Sequence, residues 1–374
     1  MLVVLALALG LAQSPANGGV VQSNSTSAQE TTPEPKLSTS EVAQLQSKAE
    51  TGDAAAQLAL GRAYQDGNGV PQNDERAAQW YRKAAEQGNP TAQNNLGILY
   101  RSGSGVEKSK EEAVKWYRMA ARQGYASAMF NLGTAYYNGD GVPSDAFRAL
   151  DWFLLAQDAG SPSAPDAVKR TAGEISQKAS SDAFLEIAGM YEEGGEVPEN
   201  LAEAAKWYRR GADQKDPRAM VKLASLLVNG AGVPKDDALA FQLCHTAAKE
   251  YAPGQYCVGF LYQHGLGVNQ DALEAAKWYE KSAADRHSPA YLALGQMYWK
   301  GQGVKTDLVA SYLWFFQAYA EGQKSAKALA NSVLKEMTPE ESKRLDKKLR
   351  ERHLDPTKVR QLMETATPSP STTG

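Results

Sequence analysis

A nine-residue pattern that recurs along the chain constrains the possible folds more than any other feature. The segments WYRKAAEQG (80–88) and WYRMAARQG (116–124) are followed by related segments that start at residues 152, 207, 278 and 314. With a period of about 36 residues, the chain divides into seven units: 53–88, 89–124, 125–160, 180–215, 216–250, 251–286 and 287–322. A period of this length is typical of architectures built from stacked supersecondary units.

Each unit contains two segments with helical periodicity. The first half reads A-x-x-L-G-x-x-Y, as in AQLALGRAY (56–64), and the second reads A-x-x-W-Y-x-x-A-A, as in AAQWYRKAA (77–85). Apolar positions three and four apart indicate a helix with one buried face. A Gly-x-Gly-Val segment between the halves ends the first helix and reverses the chain. Because one helix pair cannot bury its apolar face alone, the pattern predicts an all-α fold, an α-solenoid of stacked antiparallel helix pairs.

Several residue types within the units have predicted structural roles. Glycine at positions such as Gly61 and Gly97 allows two helices to cross closely. Asn89, Asp216 and Ser288 each precede a proline and are predicted helix caps. Tryptophan at repeat spacing is predicted to pack inside the solenoid, at Trp80, Trp116, Trp152, Trp207, Trp278 and Trp314.

The segment ALGRAYQDGNGVPQNDERAAQWYRKAAEQG (59–88) resembles the Sel-one-like repeat, a subfamily of the tetratricopeptide class. The resemblance covers about 53–322, and the fifth unit departs most, with Leu243 and Cys244 in place of Trp-Tyr. It implies an adaptor role, in which the solenoid binds a partner protein or peptide.

An extra segment, 161–179, interrupts the repeats and is long enough for about one helix. Units three and seven share a second-helix ending, LDWFLLAQDAG and YLWFFQAYAEG, so unit three resembles a terminal repeat followed by a capping helix. We therefore predict a first array at 41–160, a cap-like helix at 161–179, a second array at 180–322, capping helices at 323–353 and a disordered tail at 354–374. Thr338 and Glu341 form a predicted capping box in the capping region. The alternative is a loop insertion in one continuous superhelix.

The first forty residues predict export. Residues 1–12 form a signal-peptide-like segment with an uncharged apolar run too short to span a bilayer, and 13–40 form a tether rich in Ser, Thr and Pro. The interpretation is an exported protein, periplasmic or secreted, with no membrane span in the mature chain. The alternative is a plain apolar tail, since no Lys or Arg precedes the run.

Composition and motifs argue against several other functions. The net charge is −3 and no basic stripe is visible, which argues against nucleic-acid binding. The four histidines are scattered, so no metal site or cofactor is predicted, and no catalytic residue is assigned. An S-x-x-K segment, Ser332 to Lys335, raises the alternative of a weak β-lactam or cell-wall hydrolase, although the partner motifs S-D-N and K-T-G are absent.

The two cysteines, Cys244 and Cys257, lie on helices of consecutive units that a solenoid packs together. In an oxidising compartment they can form a disulfide across this joint. The alternative is a pair of buried free thiols.

The tetratricopeptide resemblance implies that first-helix side chains line a concave groove. The positions concerned lie two before, two after and five after the conserved leucine, and the candidate partner-binding residues among them are Phe130, Tyr137, Tyr256, Phe260, Gln263 and Trp299. The same rule places Arg62 and Arg101 in the groove. Aromatic residues in a groove are typical anchors for a peptide, and stacking on a polysaccharide or cell wall is the alternative. These side chains could instead pack on neighbouring helices or under the cap.

Overall fold

The computed structural model describes residues 36–175 and 177–364, and within these residues the chain folds into helices with no strand. The helices are α1 (Thr39–Glu50), α2 (Ala54–Asp66), α3 (Asp74–Glu86), α4 (Pro90–Ser102), α5 (Lys110–Ala121), α6 (Ala126–Asn138), α7 (Ala146–Asp158), α8 (Ala164–Glu174), α9 (Gln177–Glu193), α10 (Leu201–Asp213), α11 (Pro217–Asn229), α12 (Asp237–Ala247), α13 (Ala252–His264), α14 (Ala272–Ala284), α15 (Ser288–Lys300), α16 (Leu308–Ala320), α17 (Ala326–Glu336), α18 (Pro339–Glu351) and α19 (Pro356–Glu364).

The repeats are antiparallel helix pairs, which confirms the predicted all-α solenoid. The pairs are α2–α3, α4–α5, α6–α7, α9–α10, α11–α12, α13–α14 and α15–α16. The second helix of a pair packs on the first helix of the next pair within each unit. The chain divides into two compact units, with α1–α8 in the first unit and α9–α19 in the second.

Capping residues and glycines fix where the helices begin and end. Asn89 and Asp216 cap α4 and α11 through their side chains, as predicted, whereas α15 begins at Ser288 itself and its cap residue is His287. The first glycine of each Gly-x-Gly-Val segment adopts the left-handed conformation that ends the first helix, as at Gly103 with φ 83°. The second glycine is required for close approach, because a Cβ atom on Gly105 would lie 2.2 Å from the carbonyl carbon of Asp74.

In six of the seven repeats, a buried aromatic ring of the second helix packs against the first helix. The residue after the tryptophan provides this ring, and Tyr81, Tyr117, Phe153, Tyr208, Tyr279 and Phe315 are at most 2% exposed. Five of these rings lie against a glycine of the first helix, namely those of Tyr81, Tyr117, Phe153, Tyr279 and Phe315. A Cβ atom on Gly61, for example, would lie 2.5 Å from Cδ1 of Tyr81. Trp152 and Trp207 are fully buried, but Trp80, Trp116, Trp278 and Trp314 are only half-buried.

The ends of the arrays differ in part from the sequence-based boundaries. The predicted capping box of Thr338 and Glu341 begins α18. The segment predicted as a disordered tail contains α19, because Val359 and Met363 lie one helical turn apart and are both buried. At the other end, α1 starts at Thr39, inside the predicted tether. The signal-like segment and residues 365–374 lie outside the described residues.

Candidate partner-binding surface

The candidate binding residues lie on the first helices of their repeats. We call the side chains two before, two after and five after the conserved leucine the first-helix surface. The residue five positions after the leucine can contact the second helix of the same repeat. In the first repeat, the Tyr81 hydroxyl donates to Oε1 of Gln65 at 2.6 Å. The six candidates are all half-buried, so each keeps part of its surface in contact with solvent: Phe130, Tyr137, Tyr256, Phe260, Gln263 and Trp299.

Helix α13 contributes three of the candidates. The ring of Tyr256 lies 5.3 Å from that of Tyr279 and 5.4 Å from the imidazole of His287, measured between centroids. The ring of Phe260 lies 4.2 Å from that of His264, one turn further along the same helix. Gln263 accepts a hydrogen bond from the Tyr279 hydroxyl at 2.7 Å. Tyr256 and Gln263 are thus held by the repeat, and Phe260 contacts a side chain of its own helix.

Two other candidates attach the helices that follow units three and seven. The Tyr137 hydroxyl donates to Oε1 of Glu174 in α8 at 2.6 Å. In the same way Nε1 of Trp299 donates to Oε2 of Glu336 in α17 at 2.8 Å. Both pairs are separated by 37 residues, so α8 and α17 are held in equivalent ways.

Phe130 and Trp299 also pack on the aromatic ring of their own repeat. The ring of Phe130 lies 5.4 Å from that of Phe153, and the ring of Trp299 lies edge-on to that of Phe315 at 6.2 Å. Glu174 and Glu336 are not among the residues predicted from the sequence. The constant spacing of 37 residues between each glutamate and its aromatic partner is the signal that could have found them.

The two cysteines are joined in a disulfide between α12 and α13. Their Cα atoms lie 5.7 Å apart, and Cys244 is fully buried at the position where the other repeats have Tyr or Phe. The departure of the fifth repeat from the pattern therefore coincides with a covalent link to the sixth repeat.

An ionic cluster lies at the start of α11. Asp216 accepts hydrogen bonds from the Ser181 hydroxyl at 2.6 Å and from the Arg218 guanidinium at 2.6 Å, and Arg218 also pairs with Asp182 at 2.5 Å. Burial by itself would raise the pKa of Asp216, but the hydrogen bonds from Arg218 and Ser181 outweigh it and lower the pKa to about 2. This cluster connects α9 to α11 and has a structural role.

No catalytic constellation is assembled around Ser332. Its side chain is exposed and its hydroxyl donates to the carbonyl oxygen of Ala328 at 3.1 Å, one turn earlier in α17. Within residues 36–175 and 177–364, no group of three or more His, Cys, Asp or Glu side chains is placed to hold a metal ion. No helix in these ranges combines the length and apolar character needed to cross a membrane.

Comparison with known proteins gives a family match along most of the repeats. The Sel1 repeat model matches seven segments: 54–89, 90–125, 126–161, 185–216, 217–250, 252–287 and 288–323. The chain is 34% identical over 101 residues to the chitin synthase regulator SKT5 of Saccharomyces cerevisiae, a match covering 26% of this chain and 14% of that protein. It is 36% identical over 80 residues to chitin synthase regulatory factor 3 of Schizosaccharomyces pombe, covering 21% of this chain and 9% of the relative. The chain thus matches only a small part of these curated relatives.

Among solved structures, the chain is similar to a protective antigen of uropathogenic Escherichia coli that displays an SLR fold. The sequences are 27% identical, the match covers 90% of this chain and 77% of the other, and the TM-score is 0.43. A Sel1 repeat protein from Oxalobacter formigenes is also 27% identical, with 80% and 83% of the two chains covered and a TM-score of 0.38.

Proposed function

Because the chain belongs to the Sel1 repeat family, we propose that it is a non-catalytic scaffold that holds a segment of a partner protein on the first-helix surface of its second unit. Sel1 repeat proteins are generally protein-interaction scaffolds, and the fold is typically non-catalytic. The two fungal relatives are named as regulators of an enzyme, which supports a role exercised on another protein.

The observation that carries the proposal is the run of half-buried apolar side chains along α11, α13 and α15. Val221 and Val228 come from α11, Tyr256 and Phe260 from α13, and Leu292 from α15. Apolar side chains that the fold leaves partly exposed on consecutive helices offer a partner a continuous area to bury. Aromatic residues contribute most to such contacts because they bury a large area with few rotatable bonds.

Phe260 is the proposed anchor of this surface. Its ring contacts the exposed His264, whereas Tyr256 and Gln263 are tied to Tyr279. Trp299 has a different role, because its indole nitrogen is bonded to Glu336 in α17. In this proposal Trp299 forms the edge of the binding surface where the capping helices begin.

A pull-down with the full-length chain tests the proposal. Replacing Phe260 with Ala removes the anchor without breaking a hydrogen bond of its side chain, and partner recovery is expected to fall at least tenfold. Leu273→Ala is the matched control, because Leu273 is an apolar side chain 54% exposed on α14. Equal recovery with Phe260→Ala and Leu273→Ala would contradict the assignment of this surface.

We further propose that the protein is exported to an oxidising compartment, periplasmic or secreted. The apolar segment at residues 2–12 supports export, and so does the disulfide between Cys244 and Cys257. Disulfides persist in oxidising compartments and are rare in the cytosol. Alkylation of the exported protein without reductant is expected to label neither thiol.

A further inference from the structure

One pair of positions recurs in every repeat, one position on each helix. The buried residue of the second helix, an aromatic residue in six repeats and Cys244 in the fifth, comes 16 positions after a residue near the end of the first helix. The hydroxyls of Tyr81 and Tyr279 donate to the side-chain oxygens of Gln65 and Gln263 at 2.6 and 2.7 Å. The hydroxyl of Tyr208 donates to Glu192 in the same way.

Where the buried residue has no hydroxyl, the earlier position offers no acceptor to it. Phe153 is paired with Tyr137, Phe315 with Trp299, and Cys244 with Val228. The polar atoms of Tyr137 and Trp299 point to the helices that follow their repeats and bind Glu174 and Glu336. In six repeats, therefore, the two positions match each other chemically.

The second repeat is the exception. Tyr117 is 1% exposed and its hydroxyl has no hydrogen-bond partner within the described part of the chain. The matching position is occupied by Arg101, whose guanidinium carries only donors and cannot accept from a hydroxyl. A buried polar group without a partner is destabilising, so an acceptor supplied from outside the repeat would relieve the unmatched pair.

The surroundings of Tyr117 determine what that complement is. Burial raises the pKa of Tyr117 to about 12, so the phenol stays protonated and remains a donor. Asp140 is the acidic side chain with an electrostatic influence on Tyr117, but its carboxylate is bound by Lys110 at 2.6 Å. Arg101 is half-buried and makes no side-chain hydrogen bond or ion pair with any described residue. The site therefore offers one O–H donor and one free guanidinium, a combination that a carboxylate satisfies.

Neighbouring residues of the first-helix surface extend this site. Arg62 lies on the preceding first helix, α2, and adds a second positive charge with an exposed side chain. Ile98 in α4 and Phe130 in α6 are half-buried and apolar. An occupant with a negative charge flanked by apolar side chains complements this set.

We propose that the first-helix surface of the first unit binds an acidic segment of a protein, with one Asp or Glu carboxylate received between the Arg101 guanidinium and the Tyr117 hydroxyl. This proposal rests on the scaffold function above and adds the chemistry of a partner at the other unit. The Arg101 side chain must turn aside for the carboxylate to reach the hydroxyl, and this movement breaks no hydrogen bond among the described residues.

Matched peptide arrays test the proposal on the full-length protein. Each array carries seven-residue peptides with a fixed central Glu or Asp, or the isosteric Gln or Asn, and flanking positions drawn from Leu, Ile, Phe, Ser and Gly. Binding to the acidic arrays is expected to exceed binding to the amide arrays at least tenfold. Equal signals on the two kinds of array would overturn the proposal.

Two variants copy residues that other repeats already carry at these positions. Arg101→Gln reproduces the Tyr81–Gln65 pair, so it is expected to remove the preference for acidic peptides without lowering the melting temperature. Tyr117→Phe reproduces Phe153 and is expected to reduce the preference threefold to tenfold. The matched control is Arg122→Gln, since Arg122 is exposed at the end of α5.

The results separate this proposal from the scaffold function. A preference for acidic peptides that survives Arg101→Gln, or that Arg122→Gln removes equally well, would overturn the assignment to Arg101 and Tyr117. Loss of partner recovery with Phe260→Ala concerns the second unit and is measured independently.

Discussion

Gly133 and Phe153 show how the absence of one side chain sets the distance between two helices. A Cβ atom on Gly133 would lie 2.7 Å from Cδ1 of Phe153 and 3.2 Å from the carbonyl oxygen of Ala149. Both neighbours are buried in α7, and the backbone oxygen cannot move without shifting the helix. The glycine pattern therefore predicts the close crossing from sequence, but it does not tell which residue of the Trp-Phe or Trp-Tyr pair fills the crossing.

Replacing Gly133 with Ala is expected to destabilise the protein by about 1–3 kcal/mol, because the added methyl group overpacks the crossing. Gly173→Ala is the control within the same unit, because a Cβ atom there meets nothing within 4 Å. Alanine is the better helix former, so the control is expected to stabilise by about 0.5–1 kcal/mol. Urea unfolding monitored by circular dichroism measures both, and equal effects of the two substitutions would contradict the packing argument.

The start of α11 shows how polar side chains fix the beginning of a helix in the second unit. Asp216 caps the helix and receives the hydrogen bonds of Ser181 and Arg218, so its charge is held by groups from two helices. The capping role was readable from Asp-Pro in the sequence. The contact with Ser181 was not, because it joins residues 35 positions apart through the stacking of repeats.

The Asp216→Asn variant is expected to lose about 1–3 kcal/mol of stability at pH 7, since the amide keeps the cap but removes the charge that binds Arg218. The folded-state pKa of Asp216 is lowered to about 2, below its unfolded value near 4. Its contribution is therefore present above about pH 4 and is lost as the pH falls toward 2. Thermal melts across this range should show the wild type and variant converge, and a pH-independent difference would contradict the assignment.

The disulfide between Cys244 and Cys257 links α12 to α13. The Cys244→Ala/Cys257→Ser variant is expected to lose about 2–4 kcal/mol, chiefly because the unfolded chain gains conformational freedom. Reduction of the disulfide should lower the melting temperature of the wild type to about that of the variant and leave the melting temperature of the variant unchanged. Reduction that leaves the wild-type melting temperature unchanged would contradict a stabilising role.

The helix pairs and their stacking could be predicted from the sequence because the same spacing of apolar residues occurs in seven units. The features that the sequence did not predict depend on a contact between a single pair of residues. Trp299 is the only tryptophan outside the repeat register, and the sequence alone does not reveal that Glu336 receives its indole N–H. Helix α19 was missed because Val359 and Met363 give only one turn of apolar spacing.

At the scale of the whole molecule, each unit ends its repeats with the same arrangement. In the first unit, Phe153 lies in the last second helix, Tyr137 comes 16 positions earlier, and Tyr137 bonds to Glu174 in the helix that follows. In the second unit, Phe315, Trp299 and Glu336 form the same arrangement. Solenoids require such terminal helices, because the last repeat would otherwise expose its apolar face. The first unit therefore has its own terminal helix and its own core.

The fragment 36–175 is accordingly expected to fold alone, with a cooperative thermal transition. Removing α8 by ending the fragment at residue 160 should expose the apolar face of α7 and cause loss of cooperativity or aggregation. Calorimetry of the two fragments measures this difference. A fragment 36–175 that melts without a cooperative transition would contradict the independence of the unit.

Site-specific photo-crosslinking in the native host tests whether a partner protein is held on the first-helix surface. The photoreactive residue is placed in the full-length chain at Phe260 or Gln296 on that surface, or at Lys277 as an exposed control on α14. Phe260 and Gln296 are expected to crosslink to the same protein, whereas Lys277 is not. Equal crosslinking from Lys277, or recovery of polysaccharide alone from the first-helix positions, would contradict this expectation.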